Sequence, residues 1–147
     1  MKKTLDVTNA VNQFIKEELE DKNFFFLNNK YTDRQDLFDF ALALGVHADK
    51  ATRLESKVGL VRTERLTMPS TMHKYIAIYY DKVYAREGHT NVDELSDYDR
   101  IFNVVEEYAN TGFQMIIEEM KNNTSNENFM YDRINELKAI CENNKDS

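Results

Sequence analysis

Four cations, Arg53, Lys57, Arg62 and Arg65, recur at intervals of three to five residues in a stretch with little helical periodicity. Guanidinium and ammonium groups at that density can pair with phosphates or with the carboxylates of an acidic protein surface. The plainer alternative is a solvated loop whose charges answer acidic helices elsewhere in the chain. Charge is spread unevenly. Residues 50 to 86 carry eight Lys or Arg against three acids, a balance of +5, whereas residues 93 to 142 carry twelve acids against four bases, a balance of -8. The whole 147-residue chain has a formal net charge of -7. A nonspecific nucleic-acid coat is thereby disfavoured, while a local contact between the basic middle and an anionic partner is allowed.

Other residue types capable of chemistry lack the spacing that chemistry requires. His47, His73 and His89 are separated from one another and from the single Cys141, with no CxxC or HExxH pattern for zinc. Ser56, Ser70 and Ser96 have no GxSxG setting, and Cys141 falls on the apolar face of its segment. Gly45, Gly59, Gly88 and Gly112 are too scattered to cradle a phosphate. The pairs Glu106-Glu107 and Glu118-Glu119 read as solvated helix faces, because adjacent helical residues point about 100° apart. Tyr75, Tyr79 and Tyr80, close to Lys74 and Lys82, have the composition of a single-strand binding surface. Their spacing equally describes a core helix with hydroxyls at its rim, and that reading is preferred. No catalytic residue, metal ligand or cofactor is expected, so the chain reads as a non-enzyme.

The elements that must position these residues are mostly helical. Val7, Val11, Phe14, Ile15 and Leu19 outline a first amphipathic helix, followed by Phe24-Phe25-Phe26-Leu27, a short strand or extended plug. Thr32 or Asp33 caps a second helix carrying Leu37, Phe38, Ala41, Leu42 and Leu44, with Gly45 placed as its left-handed C-terminal cap. From His47 to Leu66 an exposed loop or hairpin is expected, with a short strand at Gly59-Leu60-Val61. Pro69 opens a third helix through Tyr75, Tyr79 and Val83 that ends near Gly88. Leu95, Tyr98, Phe102, Val105, Ala109 and Ile116 trace a long fourth helix to about Met120, in which Gly112 is tolerated if another helix packs closely there. Thr124 to Cys141 forms a fifth, and the polar end from Asn143 frays. The expected fold is mainly α: one compact domain over residues 1–147, a bundle of about five helices with a short strand or hairpin in the first half.

One Cys permits no intrachain disulfide framework, and Asp6, Asn9, Asn12 and Gln13 interrupt any apolar leader, so a cytoplasmic protein is expected. The apolar stretch from Phe38 to Val46 is broken by Asp39 and falls far short of the roughly 20 residues of a membrane span. The apolar surface of the second to fourth helices is broad enough to suggest a homodimer.

Three stretches, taken in order, carry a resemblance: residues Asp33 to Gly45 (DRQDLFDFALALG), Gly59-Leu60-Val61-Arg62, and Val104 to Gly112 (VVEEYANTG). They resemble a family of small accessory proteins encoded beside bacterial DNA phosphorothioation (Dnd-type) and related phage-defence gene clusters. The resemblance implies a noncatalytic role in defence or DNA modification and supplies no catalytic residue. Packing alone also accounts for these stretches, with Leu37, Phe38, Ala41 and Leu44 set against the small surface at Ala109 and Gly112. The expected function is an interaction protein docking on a larger protein of such a system. A DNA-associated regulator or phage-encoded protein that contacts phosphate through Arg53, Lys57, Arg62 and Arg65 is the alternative.

Overall fold

A computed structural model describes residues 2–20, 33–66 and 69–122. The Phe24 to Leu27 strand, the Thr32 cap, the helix from Thr124 to Cys141 and the frayed tail of the sequence reading lie outside the described residues.

The chain is mainly helical, with a two-stranded antiparallel sheet. In order come β1 (Thr4–Val7), α1 (Asn9–Phe14), α2 (Asp33–Ala48), β2 (Val58–Arg62), α3 (Pro69–Tyr79) and α4 (Tyr98–Asn122). Wider π-helical turns extend α1 over Ile15–Glu20 and α3 over Tyr80–Tyr84, and 3-10 turns follow at Thr63–Arg65 and Val92–Ser96. Among the described residues there are thus four α-helices. None of their helices is long and apolar enough to cross a membrane.

Val7 belongs to a strand rather than to the first helix. Thr8 explains the boundary: its side chain accepts the N–H of Val11 at 3.2 Å, capping α1 and leaving Thr4–Val7 extended. Those strand groups then need partners. They find them in β2, so the expected short strand exists, but it pairs across the chain with β1 instead of forming a local hairpin. Leu5 faces Val61 and Asp6 faces Gly59, making Leu60 the extra residue of a β-bulge. The bulge resets the alternation, and Leu60 and Val61 are both buried. The segment read as an exposed loop therefore contributes core residues, Leu66 included.

α2 and α4 make the most extensive contact in the molecule. A Cβ on Gly45 would stand 1.8 Å from the carbonyl oxygen of Tyr108, and one on Gly112 only 1.7 Å from that of Ala41. The two contacts, each four residues from the other on both helices, show α2 and α4 crossing antiparallel with their backbones nearly touching. Gly112 thus has the close helix expected of it. Gly45 is not a cap: α2 continues to Ala48, and the left-handed position is taken by Asp49 at φ 56°. Asp tolerates that conformation better than most side chains, and its carboxylate is held by Lys82 at 2.8 Å and Arg86 at 3.0 Å. Gly88, at φ 69°, provides the turn after α3.

Around this crossing the aromatic core closes. Phe38 meets Tyr75 and Phe113 at ring-centroid distances of 6.4 Å each, and Tyr75 meets Phe102 edge-on at 6.5 Å. Full burial of such side chains stabilises the fold by about 1.5–3 kcal/mol each. Tyr75 and Tyr79 are core residues, as the helical spacing predicts, and Tyr80 is half-exposed.

Candidate functional site

The irregular segment between α2 and β2 cannot satisfy its own backbone, and α4 does so for it. The Thr52 N–H donates to the Glu107 carbonyl at 3.0 Å, and the Thr52 and Thr111 hydroxyls meet at 2.7 Å. Asn110 donates through Nδ2 to the carbonyls of Thr52 and Arg53, at 3.1 and 3.4 Å. Farther along, Ser56 Oγ accepts the N–H of Asn9 at 2.8 Å. Polar Asn110 and Thr111 amid an apolar helical run were a readable signal, because such residues give up helix propensity and are better placed at caps and turns. Their role as an anchor for residues 52–53 escaped the sequence reading.

Arg53 projects from this anchored segment and is exposed. Lys57, also exposed, immediately precedes β2, and exposed Arg62 ends it. Arg62 Nη1 lies 3.5 Å from Glu64 Oε1, both side chains well solvated, which makes the pair weak. Arg65 closes the Thr63–Arg65 turn, and its side chain is outside the described set. The backbone spreads Lys57 and Arg62 over the length of β2, roughly 15 Å at about 3.3 Å per residue, so the cations form a strip rather than one converging site.

Beside Arg53 a cleft of about 350 Å³ opens between the start of α1, residues 52–56 and α4. Polar residues Asn9, Arg53, Glu55, Ser56, Asn110 and Gln114 share its walls with Ala10, Val11 and Ile117. Asn110 is only 3% exposed and its Oδ1 has no hydrogen-bond partner. An unsatisfied buried acceptor of this kind costs about 1–3 kcal/mol.

Two titratable networks lie elsewhere. In the first, Glu106 is 2% exposed instead of solvated. It accepts the Asp6 N–H and pairs with Lys2 Nζ at 3.1 Å, while Lys2 also reaches Asp6 at 3.0 Å. Burial pushes the Glu106 carboxyl up to about 7, against the opposing pull of the Asp6 N–H and Lys2. Burial works against the Lys2 charge, yet the hydrogen bonds and charges of Asp6 and Glu106 outweigh it and hold Lys2 above its ordinary value. A carboxyl near 7 has the acidity of a general acid or base, but β1 covers this one and leaves a substrate no approach.

In the second network, Glu94 accepts the Tyr79 hydroxyl at 2.6 Å, with His89 Nδ1 at 2.6 Å and Arg100 Nη1 at 3.3 Å. The Tyr79 and His89 hydrogen bonds hold the Glu94 carboxyl below its usual range. His89, read as a solvated turn residue, is instead held between Glu94 and Glu87, whose Oε2 lies 3.2 Å from Nε2. With three donors on one carboxylate, this network ties α3 to the Val92–Ser96 turn and the start of α4. His47 and His73 are exposed. Among the described residues no three His, Cys, Asp or Glu side chains are grouped to hold a metal ion.

No family model, curated protein or solved structure matches this chain.

Proposed function

We propose that this is a noncatalytic interaction protein that docks on a larger protein through the cationic strip of residues 50–62. Its context, on the resemblance of residues 33–45, 59–62 and 104–112, is a bacterial phage-defence or DNA-modification system. One observation carries the reading. Lys2, Lys74, Lys82, Arg86 and Arg100 are occupied by acids of the chain itself, whereas Lys50, Arg53 and Lys57 are exposed and, among the described residues, have no ion pair. Arg53 stands on a backbone anchored by Asn110 and Thr111, so little ordering is required there when a partner arrives. A net charge of -7 repels a polyanion as extended as DNA but leaves a local acidic protein patch attractive.

The test is capture of partners by the tagged protein in its source cells, repeated with Lys57→Glu and Arg62→Glu together. One larger partner should be recovered by the native chain and lost on charge reversal. Recovery of the native chain alone, or of a partner indifferent to the reversal, would overturn the proposal. Tight, salt-sensitive binding to duplex DNA would favour the phosphate-contacting alternative.

A further inference from the structure

A two-stranded sheet has two outer edges, and α4 closes only one of them. Along β1 and the residues leading into it, the N–H groups that point away from β2 belong to alternate residues. The Lys2 N–H donates to Asp99 Oδ1 at 2.6 Å and the Asp6 N–H to the Glu106 carboxylate, so α4 supplies an acceptor for each. β2 has no such cover. The Thr63 N–H donates to the Lys3 carbonyl at 2.9 Å, which turns the N–H and C=O of the preceding residue, Arg62, outward. Among the described residues no group donates to or accepts from that outer side of β2. The β-bulge then decides what flanks this open edge. Lys57 and Arg62 are five positions apart, which on a regular strand puts them on opposite faces. The extra residue, Leu60, restores the phase: Leu60 and Val61 are buried and Val58 partly so, while Lys57, Gly59 and Arg62 are all exposed on the solvent face.

We propose that the open edge of β2 takes an extended acidic segment of a partner protein as a third strand. The inference rests on the docking reading of the cationic strip and gives it a binding mode. Main-chain hydrogen bonds along the edge supply attachment, and side chains supply choice. Lys57 and Arg62 on one face, with the bare Gly59 between them, fit a strand whose carboxylates project to that same face. Arg62 has only the solvated Glu64 to release. Val7 and Thr4 of β1 stand opposite Val58 and Arg62, so a regular strand reaches from Lys57 to Arg62 in four steps and carries its acids at positions i and i+4. A second copy of this chain fits less well. Antiparallel pairing of β2 with β2 sets Lys57 against Arg62, parallel pairing sets each cation beside its twin, and like charges directly opposite are destabilising. An apolar strand leaves both cations without a counter-charge.

The test uses the purified full chain and a synthetic probe, the end-capped peptide TEVTVETV, whose glutamates are four positions apart. Saturable binding is expected by NMR, with shifts confined to the amides around β2 and hydrogen exchange at the Arg62 amide slowed about tenfold or more. Moving one glutamate by a single place (TEVTTVEV) sets the two on opposite faces and should weaken binding about tenfold or more, as should Lys57→Glu with Arg62→Glu. N-methylation of the peptide separates strand addition from plain charge pairing. Alternate amides face opposite edges of a strand, so methylating one alternate set should abolish binding and methylating the other should spare it. Equal binding of the two methylated forms, or no saturable binding of the parent peptide, would overturn the proposal. So would an Arg62 amide already protected in the free monomer, which means that the chain fills its own edge, or protection that grows with protein concentration, which means a second copy. If these results fail while a captured partner is still lost on charge reversal, strand addition falls and the docking reading stands.

Discussion

Glu106 and Glu94 are the same residue type doing similar mechanical work, and their surroundings drive them in opposite directions. Glu106 joins α4 to β1 from a site that is 2% exposed, and desolvation outweighs its two donors, so its carboxyl rises to about 7. Glu94 joins α3, the Val92–Ser96 turn and Arg100 of α4 from the rim, where solvent relieves the burial cost and the donors prevail, so its carboxyl falls. The contrast teaches that a carboxylate's partner count does not set its acidity; the balance of donors against lost water does. It also gives the two seams opposite pH responses. A folded-state value raised from the ordinary 4.5 to about 7 means that the Glu106 contribution is complete below 4.5 and lost as pH rises through 7. The depressed Glu94 value means a contribution present above the ordinary carboxylate value and lost on acidification.

The largest effect is expected from breaking what both seams stand on. Gly112→Ala forces a Cβ to within 1.7 Å of the Ala41 carbonyl oxygen unless α2 and α4 separate. A loss of about 3 kcal/mol or more is expected in denaturant unfolding, the upper end for overpacking, and both seams should weaken together. A selective break at the buried seam comes next. Lys2→Met strips Glu106 of its cation and should cost about 3 kcal/mol near pH 8, as removal of one member of a buried pair does. The cost should shrink near pH 5, where Glu106 takes up a proton, and Glu106→Gln should abolish the difference between the two pH values. An equal Lys2→Met penalty at both would show that Glu106 is not the titrating group. Smallest is the rim. Glu94→Gln should lower the melting temperature slightly at pH 7 and progressively less as the pH falls toward 4, whereas Glu106→Gln should gain stability relative to the native chain as the pH rises through 7. Thermal melts of the native chain, Glu106→Gln and Glu94→Gln across pH would confirm or erase the comparison.

Much of the framework could be read from local pattern. The periodicity of Leu37, Phe38, Ala41 and Leu44 located α2, Pro69 marked the start of α3, and the steps of three and four from Tyr98 to Ile116 located α4. The requirement for close packing at Gly112 was also legible, because a glycine inside a long helix costs about 1 kcal/mol unless a neighbour needs the space. β1 was misread because Val7 and Val11 also fit a helical step, and only the side chain of Thr8 and the strand partner 58–62 separate the two readings. Gly45 was misassigned because glycine serves caps and close contacts alike, and the Tyr108 carbonyl that decides between them belongs to another helix. The exposure of Arg53, Lys57 and Arg62 agrees with a polar segment in the sequence, but the neighbouring cleft was not legible there: Asn110 meets Thr52 across 58 positions.

What the sequence by itself determined is everything carried by near neighbours: the helical class, the apolar faces, the aromatic core positions and the basic middle between acidic flanks. Those properties depend on residue type and on spacings of three or four, which a linear chain states directly. Only the tertiary structure decided which polar groups lose their water and which find a donor. Glu106 and Glu107 are adjacent in the chain and indistinguishable as text, yet the first lies beneath β1 against Lys2 while the second is only partly buried. A hydrogen-bond partner or a lost hydration shell is a relation between distant segments, and folding alone brings those segments together.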